Sequence, residues 1–141
     1  IGLKATPDDS LLLNNLAFVL ASRNELLLAA KALSKADVGD DPEKTKVARL
    51  ATRGLIEMRS KNLETGTQLY LAAIEEANRR KDVLAGAMAA AMLLRELEAS
   101  GGVDVSIQRE AFLQLLEKLK PNDRALMEAI SRANHQNPLV P

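Results

Sequence analysis

Two adjacent amides stand in an otherwise apolar stretch, Asn14 and Asn15 within Leu11-Leu12-Leu13-Asn14-Asn15-Leu16-Ala17-Phe18. Asn is a mediocre helix former because its amide competes for backbone hydrogen bonds. Two of them inside a helical pattern suit contact with a partner outside the helix, such as the backbone of a bound peptide. Bonding to a neighbouring loop of the same chain is the competing reading. Phe18 is one of three aromatic residues, with Tyr70 and Phe112. It follows the small Ala17, and a step of one residue on a helix turns the side chain about 100° away from that contact point. Phe18 is thereby placed either to anchor a ligand or to pack against the adjacent element. The same row continues through Ser22 and, further along, Thr52, Leu55, Met58 and Arg59. The chemistry on offer is recognition: amide hydrogen bonds, an apolar anchor and one cation.

Other reactive groups are scarce. There is no Cys, which excludes thiol catalysis, iron–sulfur clusters and Cys-ligated zinc. The single His, His135, has no Ser or Asp constellation beside it, and neither a phosphate-cradling Gly-rich loop nor a nucleophile motif is present. Asp37, Asp40 and Asp41 do not alternate as calcium-loop ligands do, so a solvated loop is expected there and no metal or cofactor. Nineteen basic residues balance nineteen acidic ones, leaving no field to draw the chain to nucleic acid. The basic cluster Arg79-Arg80-Lys81 follows Glu75 and Glu76 at helical pair spacing, which neutralises it. Val83 to Leu94 is uncharged, but a membrane span needs about 20 apolar residues, so a buried helix is expected, with Gly86, Met88 and Met92 filling space. Were Met88 and Met92 exposed, they would form an adaptable patch.

The elements that must position the recognition row are helices. Leu, Ala, Glu, Lys and Arg make up 77 of 141 residues, whereas Val and Ile total 12, so the chain is expected to be all-α. Apolar spacing and punctuation predict seven helices, over 8–23, 26–36, 43–60, 63–80, 82–100, 104 or 106 to 120, and 121–134. Thr6-Pro7 and Asp41-Pro42 are both cap-then-proline starts. Gly101-Gly102 ends the fifth helix, and the tail from Gln136 to Pro141 has no pattern. Leu139 and Val140, between prolines, suit insertion into a groove of the same or a neighbouring molecule.

The first two helices superpose on the next two at a constant offset of 37 residues. Leu13 falls on Leu50, Ala17 on Gly54, Leu26 on Leu63, Ala29 on Gly66, Leu33 on Tyr70 and Ala36 on Ala73. Size is kept as well as polarity, as crossing antiparallel helices require: a residue without bulk at each contact and a large apolar one beside it. These residues, with Pro7-Asp8-Asp9-Ser10 and Leu13-Asn14-Asn15-Leu16-Ala17, resemble the tetratricopeptide repeat, a helix–turn–helix unit of about 34 residues. The extra residues sit in the loop around Val38 to Asp41, and Arg53, Glu57 and Asn24 depart from the pattern.

The resemblance implies a right-handed α-solenoid of antiparallel pairs. Residues 1–6 read as the end of a preceding repeat cut short, since the chain opens on Ile1 without Met. Residues 7–36 form one pair, 37–42 a loop, 43–80 a second pair, 81–120 a degenerate third, 121–134 a capping helix and 135–141 a loose tail. It further implies a non-catalytic scaffold whose first helices line a concave groove for a peptide or helix of a partner protein, with Asn14, Asn15, Phe18, Ser22, Thr52, Leu55, Met58 and Arg59 as contacts. An Asn at the place of Asn15 is a common peptide contact in the family. The Lys/Arg clamp for C-terminal carboxylates is absent, its places holding Asn14, Phe18 and Ala51. Self-association is the alternative: a missing upstream repeat uncovers the outer side of the first helix around Leu12, which favours a homodimer. Regulation of a domain elsewhere in a longer chain is a further reading.

Overall fold

The computed structural model describes residues 7–37, 43 and 45–136. Among them are seven helices and no strand: α1 (Pro7–Ser22), α2 (Leu26–Ala36), α3 (Lys46–Arg59), α4 (Leu63–Arg79), α5 (Val83–Ser100), α6 (Ser106–Lys118) and α7 (Pro121–Gln136). The chain is all-α, as its composition requires. It divides within α4, after Glu76, into two compact units. Residues 1–6, Val38 to Pro42 and 137–141 lie outside the described residues, and with them the expected end of a preceding repeat, the expected Thr6 cap, the Asp41-Pro42 start and the expected insertion of Leu139 and Val140, whereas Pro7 opens α1 as expected.

In the first unit α1 packs on α2, and α3 packs on both. Ala17, Ala32, Leu33 and Ala36 form a buried cluster, with Leu13, Leu20 and Ile56 packed against it, so α3 contributes to the core of the first hairpin. At the crossing of α3 and α4, a Cβ built on Gly66 would lie 3.0 Å from the Gly54 carbonyl oxygen and 2.6 Å from Met58 Cγ. One built on Gly54 would lie 2.9 Å from Tyr70 Cδ2. Glycine inside a helix costs about 1 kcal/mol relative to alanine; here it lets two backbones meet. Tyr70, fully buried, fills the space beside the contact as its position predicts. Each of the six pairs at the 37-residue offset shares one burial class: Leu13/Leu50 and Leu26/Leu63 are half-buried, the other four buried.

The turns repeat too. Asn24, Lys61 and Lys81 adopt left-handed φ of 62°, 71° and 58°. Around Asn24 the Glu25 N–H donates to the Leu20 carbonyl and the Asn24 N–H to that of Ala21. Asn62 to Glu57 and Lys61 to Met58 repeat this 37 residues later, and Asp82 to Ala77 and Lys81 to Asn78 form it again. All three are Schellman closures, which satisfy the terminal carbonyls of one helix while reversing the chain into the next.

α3 begins at Lys46, three residues later than the expected Glu43, behind a turn in which the Lys46 N–H donates to the Glu43 carbonyl at 3.3 Å. α7 extends to Gln136 rather than Asn134, so Gln136 belongs to the helix and not to the tail. In the second unit α5 packs on α6, and α7 packs on both. The Asp82 side chain accepts from the Ala85 N–H and caps α5. Gly86, Ala87, Ala89, Ala90 and Leu93 are buried as expected, but Met88 is 45 % exposed. Ahead of α6, the Ser106 hydroxyl and backbone N–H both donate to Asp104, and these bonds hold its carboxyl below the usual range.

Candidate recognition surface

The buried side of α1 is a seam of small and polar residues, Ser10, Asn14, Ala17 and Ala21, none more than 4 % exposed. Their lack of bulk lets α1 lie close to its neighbours. Ser10 Oγ donates to the Ala36 carbonyl at 2.7 Å and lies 3.5 Å from Thr45 Oγ1, tying the start of α1 to the end of α2 and the approach to α3. Asn14 sits within this seam, and its Oδ1 has no hydrogen-bond partner. Asn14 is therefore not a surface contact, because it lies on the same side of α1 as Ala17.

Asn15, one residue further round, is exposed. Phe18 and Ser22 are half-buried at the margin of the seam, and the Ser22 hydroxyl donates to the Phe18 carbonyl at 2.9 Å. Arg59 Nη1 reaches from the end of α3 to Asn24 Oδ1 at 3.1 Å and to the Ser22 carbonyl at 3.5 Å. Asn15, Phe18, Ser22 and Arg59 thus run along α1 and across the turn that ends it.

Thr52, Leu55 and Met58 are 2–4 % exposed and present no face to a ligand. Their positions match those of Asn15, Phe18 and Ala21 at the 37-residue offset, but their surroundings differ. α3 is flanked by α1, α2 and α4, so most of its circumference is covered, and Met58 lies directly against Gly66. The expected continuous row is open on α1 and closed on α3.

Two features escaped the sequence reading. Asp37 is not part of a solvated loop: its carboxylate accepts from Arg49 Nη1 at 2.6 Å and from Arg53 Nη2 at 2.5 Å. Arg49 Nε also donates to Thr45 Oγ1 at 3.0 Å. The available signal was the offset itself, which sets Arg49 and Arg53 on Leu12 and Leu16 and so marks a face whose chemistry changes between the hairpins. The second feature is the extent of bare apolar surface on the first hairpin, where Leu12, Leu16, Val19 and Leu27 are 64 %, 49 %, 48 % and 76 % exposed. Of these, the sequence pattern points to Leu12 and its neighbours.

Glu76, expected on the surface beside Arg80, is 9 % exposed and lies 3.8 Å from Lys46 Nζ. Asp40, Asp41 and the His135 side chain lie outside what the structure describes. Among the described residues no group of carboxylate and imidazole side chains is arranged to hold a metal, and no helix is long and apolar enough to cross a membrane. No family model matches the chain, and neither the curated proteins nor the solved structures contain a match to it.

Proposed function

We propose that the chain is a helical-repeat recognition module of the tetratricopeptide kind, a right-handed stack of antiparallel helix pairs that binds an extended peptide or partner helix and performs no reaction itself. The repeat reading draws support from the turn hydrogen bonds that recur at the 37-residue offset and from the Gly54–Gly66 crossing. The observation that carries the binding reading is the open row on α1. Asn15 offers an exposed amide, Phe18 a half-buried ring and Arg59 a cation at the end of the row. Such a row gives an extended chain hydrogen bonds for its backbone and a ring for one apolar side chain. Asn14, Thr52, Leu55 and Met58 serve from beneath, by fixing the helices that carry it.

A peptide library selected against the 141-residue chain tests this. Selected peptides should perturb the amide resonances of Asn15, Phe18, Ser22 and Arg59. The double substitution Asn15→Ala/Phe18→Ala should weaken them roughly tenfold or more, the loss expected of one anchor and its neighbour, while leaving helix content intact. Loss of helicity in that variant would make Phe18 a core residue, and perturbation confined to other helices would move the site.

A further inference from the structure

The bare side of α1 carries a pattern of its own. Leu12, Leu16, Val19 and Arg23 are spaced 4, 3 and 4 residues apart, the a/d spacing of a coiled-coil seam, and in the sequence Asp9 stands three residues before Leu12. Between Ser10 and Ser22 no residue is charged. The 37-residue offset shows what this face does where it has a neighbour. The counterparts of Leu12, Leu16 and Val19 are Arg49, Arg53 and Ile56. The two arginines pair with Asp37 of the preceding hairpin, and Ile56 packs on that hairpin's core. In the second hairpin, then, this is a docking face. On α1 the same face is uncovered, and leucine replaces arginine, so its complement is apolar and not acidic.

We infer that this face is covered by the same face of a second copy of the chain, with two α1 helices packed antiparallel about a two-fold axis at Leu16. In this arrangement Leu16 meets Leu16 of the second copy, and Leu12 meets the other copy's Val19. The charges that bound the stripe in the sequence, Asp9 and Arg23, each lie seven residues from Leu16. Antiparallel pairing therefore sets opposite charges against each other at both ends. Parallel pairing would set aspartate on aspartate and arginine on arginine, so the charge pattern selects the orientation. This inference stands apart from the peptide reading: Leu16 and Phe18 are two residues apart and project about 160° from each other on the helix.

Sedimentation of the full chain from low micromolar to several hundred micromolar tests it. The expected result is a monomer–dimer equilibrium that stops at the dimer. Leu16→Glu and, separately, Leu12→Glu should each raise the dissociation constant at least about tenfold, because each buries a carboxylate against an apolar surface. Helix content should hold, since both leucines are about half or more exposed in the single chain. Arg23→Glu should weaken the dimer several-fold, and Asp9→Lys with Arg23→Glu should restore it. A monomer at every concentration, open-ended growth, capture of an unrelated helix in preference to a second copy, or failure of the charge reversal to restore pairing would each overturn the inference.

Discussion

The hairpin of α1 and α2 and the hairpin of α3 and α4 share one backbone plan and differ in almost everything that faces outward. Their turns are closed by the same hydrogen bonds at Asn24 and Lys61, and their crossing points fall in register. At the crossing, however, the first has Ala17 and Ala29, both fully buried with their methyl groups in place, whereas the second has Gly54 and Gly66 with no room for a methyl at either. On the face that α3 turns toward the preceding hairpin the second carries Arg49 and Arg53, where the first has Leu12 and Leu16. One residue round from the crossing seam, the first leaves Asn15 exposed and the second buries Thr52. A repeat offset transmits positions; the neighbours present at each position decide what the side chain does there.

The widest difference is at the crossing. Gly66→Leu should destabilise the chain by about 3 kcal/mol, since the new side chain meets the Gly54 carbonyl and Met58 in a packed interior. Ala29→Gly at the equivalent place should cost less, about 2 kcal/mol, the helix-propensity difference together with the loss of a fully buried methyl group. Urea titrations followed by helix content would compare them. A Gly66→Leu variant no weaker than Ala29→Gly would mean that the α3–α4 crossing has room for a side chain and that the glycines are incidental.

A smaller effect is expected at the docking face. Asp37→Ala removes the carboxylate shared by Arg49, whose side chain is 12 % exposed, and Arg53, at 39 %. The loss should be about 1–2 kcal/mol, between the values for exposed and buried pairs. Adding Arg49→Leu and Arg53→Leu, the residues that the first hairpin has at these places, should bring stability back to within about 1 kcal/mol of the original, as apolar replacements of ion pairs commonly do. Denaturation of the single and triple variants side by side gives the answer. If the triple variant stays as weak as the single one, the arginines set the geometry of the interface and the leucines of α1 are no guide to it.

Much of this plan can be read from residues close together in the chain. Helix α2 starts and ends where apolar spacing places it, Leu26 to Ala36, because the Asn24 turn and Asp37 bound it locally. The start of α3 is misread because the Asp41-Pro42 signal is local, whereas the Thr45 hydroxyl is taken by Arg49 and lies against Ser10, 35 residues earlier in the chain. Asp37 pairs with residues 12 and 16 positions further along the chain, on the next helix, a spacing that no helical pattern reveals. Phe18 and Leu55 are alike on a helical wheel. Only the number of helices around α3 separates a half-open ring from a buried leucine, and that number is a property of the assembled unit.

The turns offer the finest comparison. Asn24 and Lys61 hold equivalent left-handed conformations, yet asparagine adopts this region at lower cost than lysine: both set a β-carbon against the following carbonyl, but the short amide can offset the crowding with local hydrogen bonds. Lys61→Gly should therefore stabilise the chain by about 1 kcal/mol, with part of the gain offset by the greater freedom of glycine in the unfolded state. Asn24→Gly should gain a few tenths at most, and it also gives up the acceptor that Asn24 Oδ1 presents to Arg59. Chemical denaturation resolves the pair only if both are measured against the same parent. A larger gain at Asn24 than at Lys61 would show that the two turns, despite identical hydrogen bonding, carry strain in the reverse order. The offset would then describe the path of the backbone but not its energy.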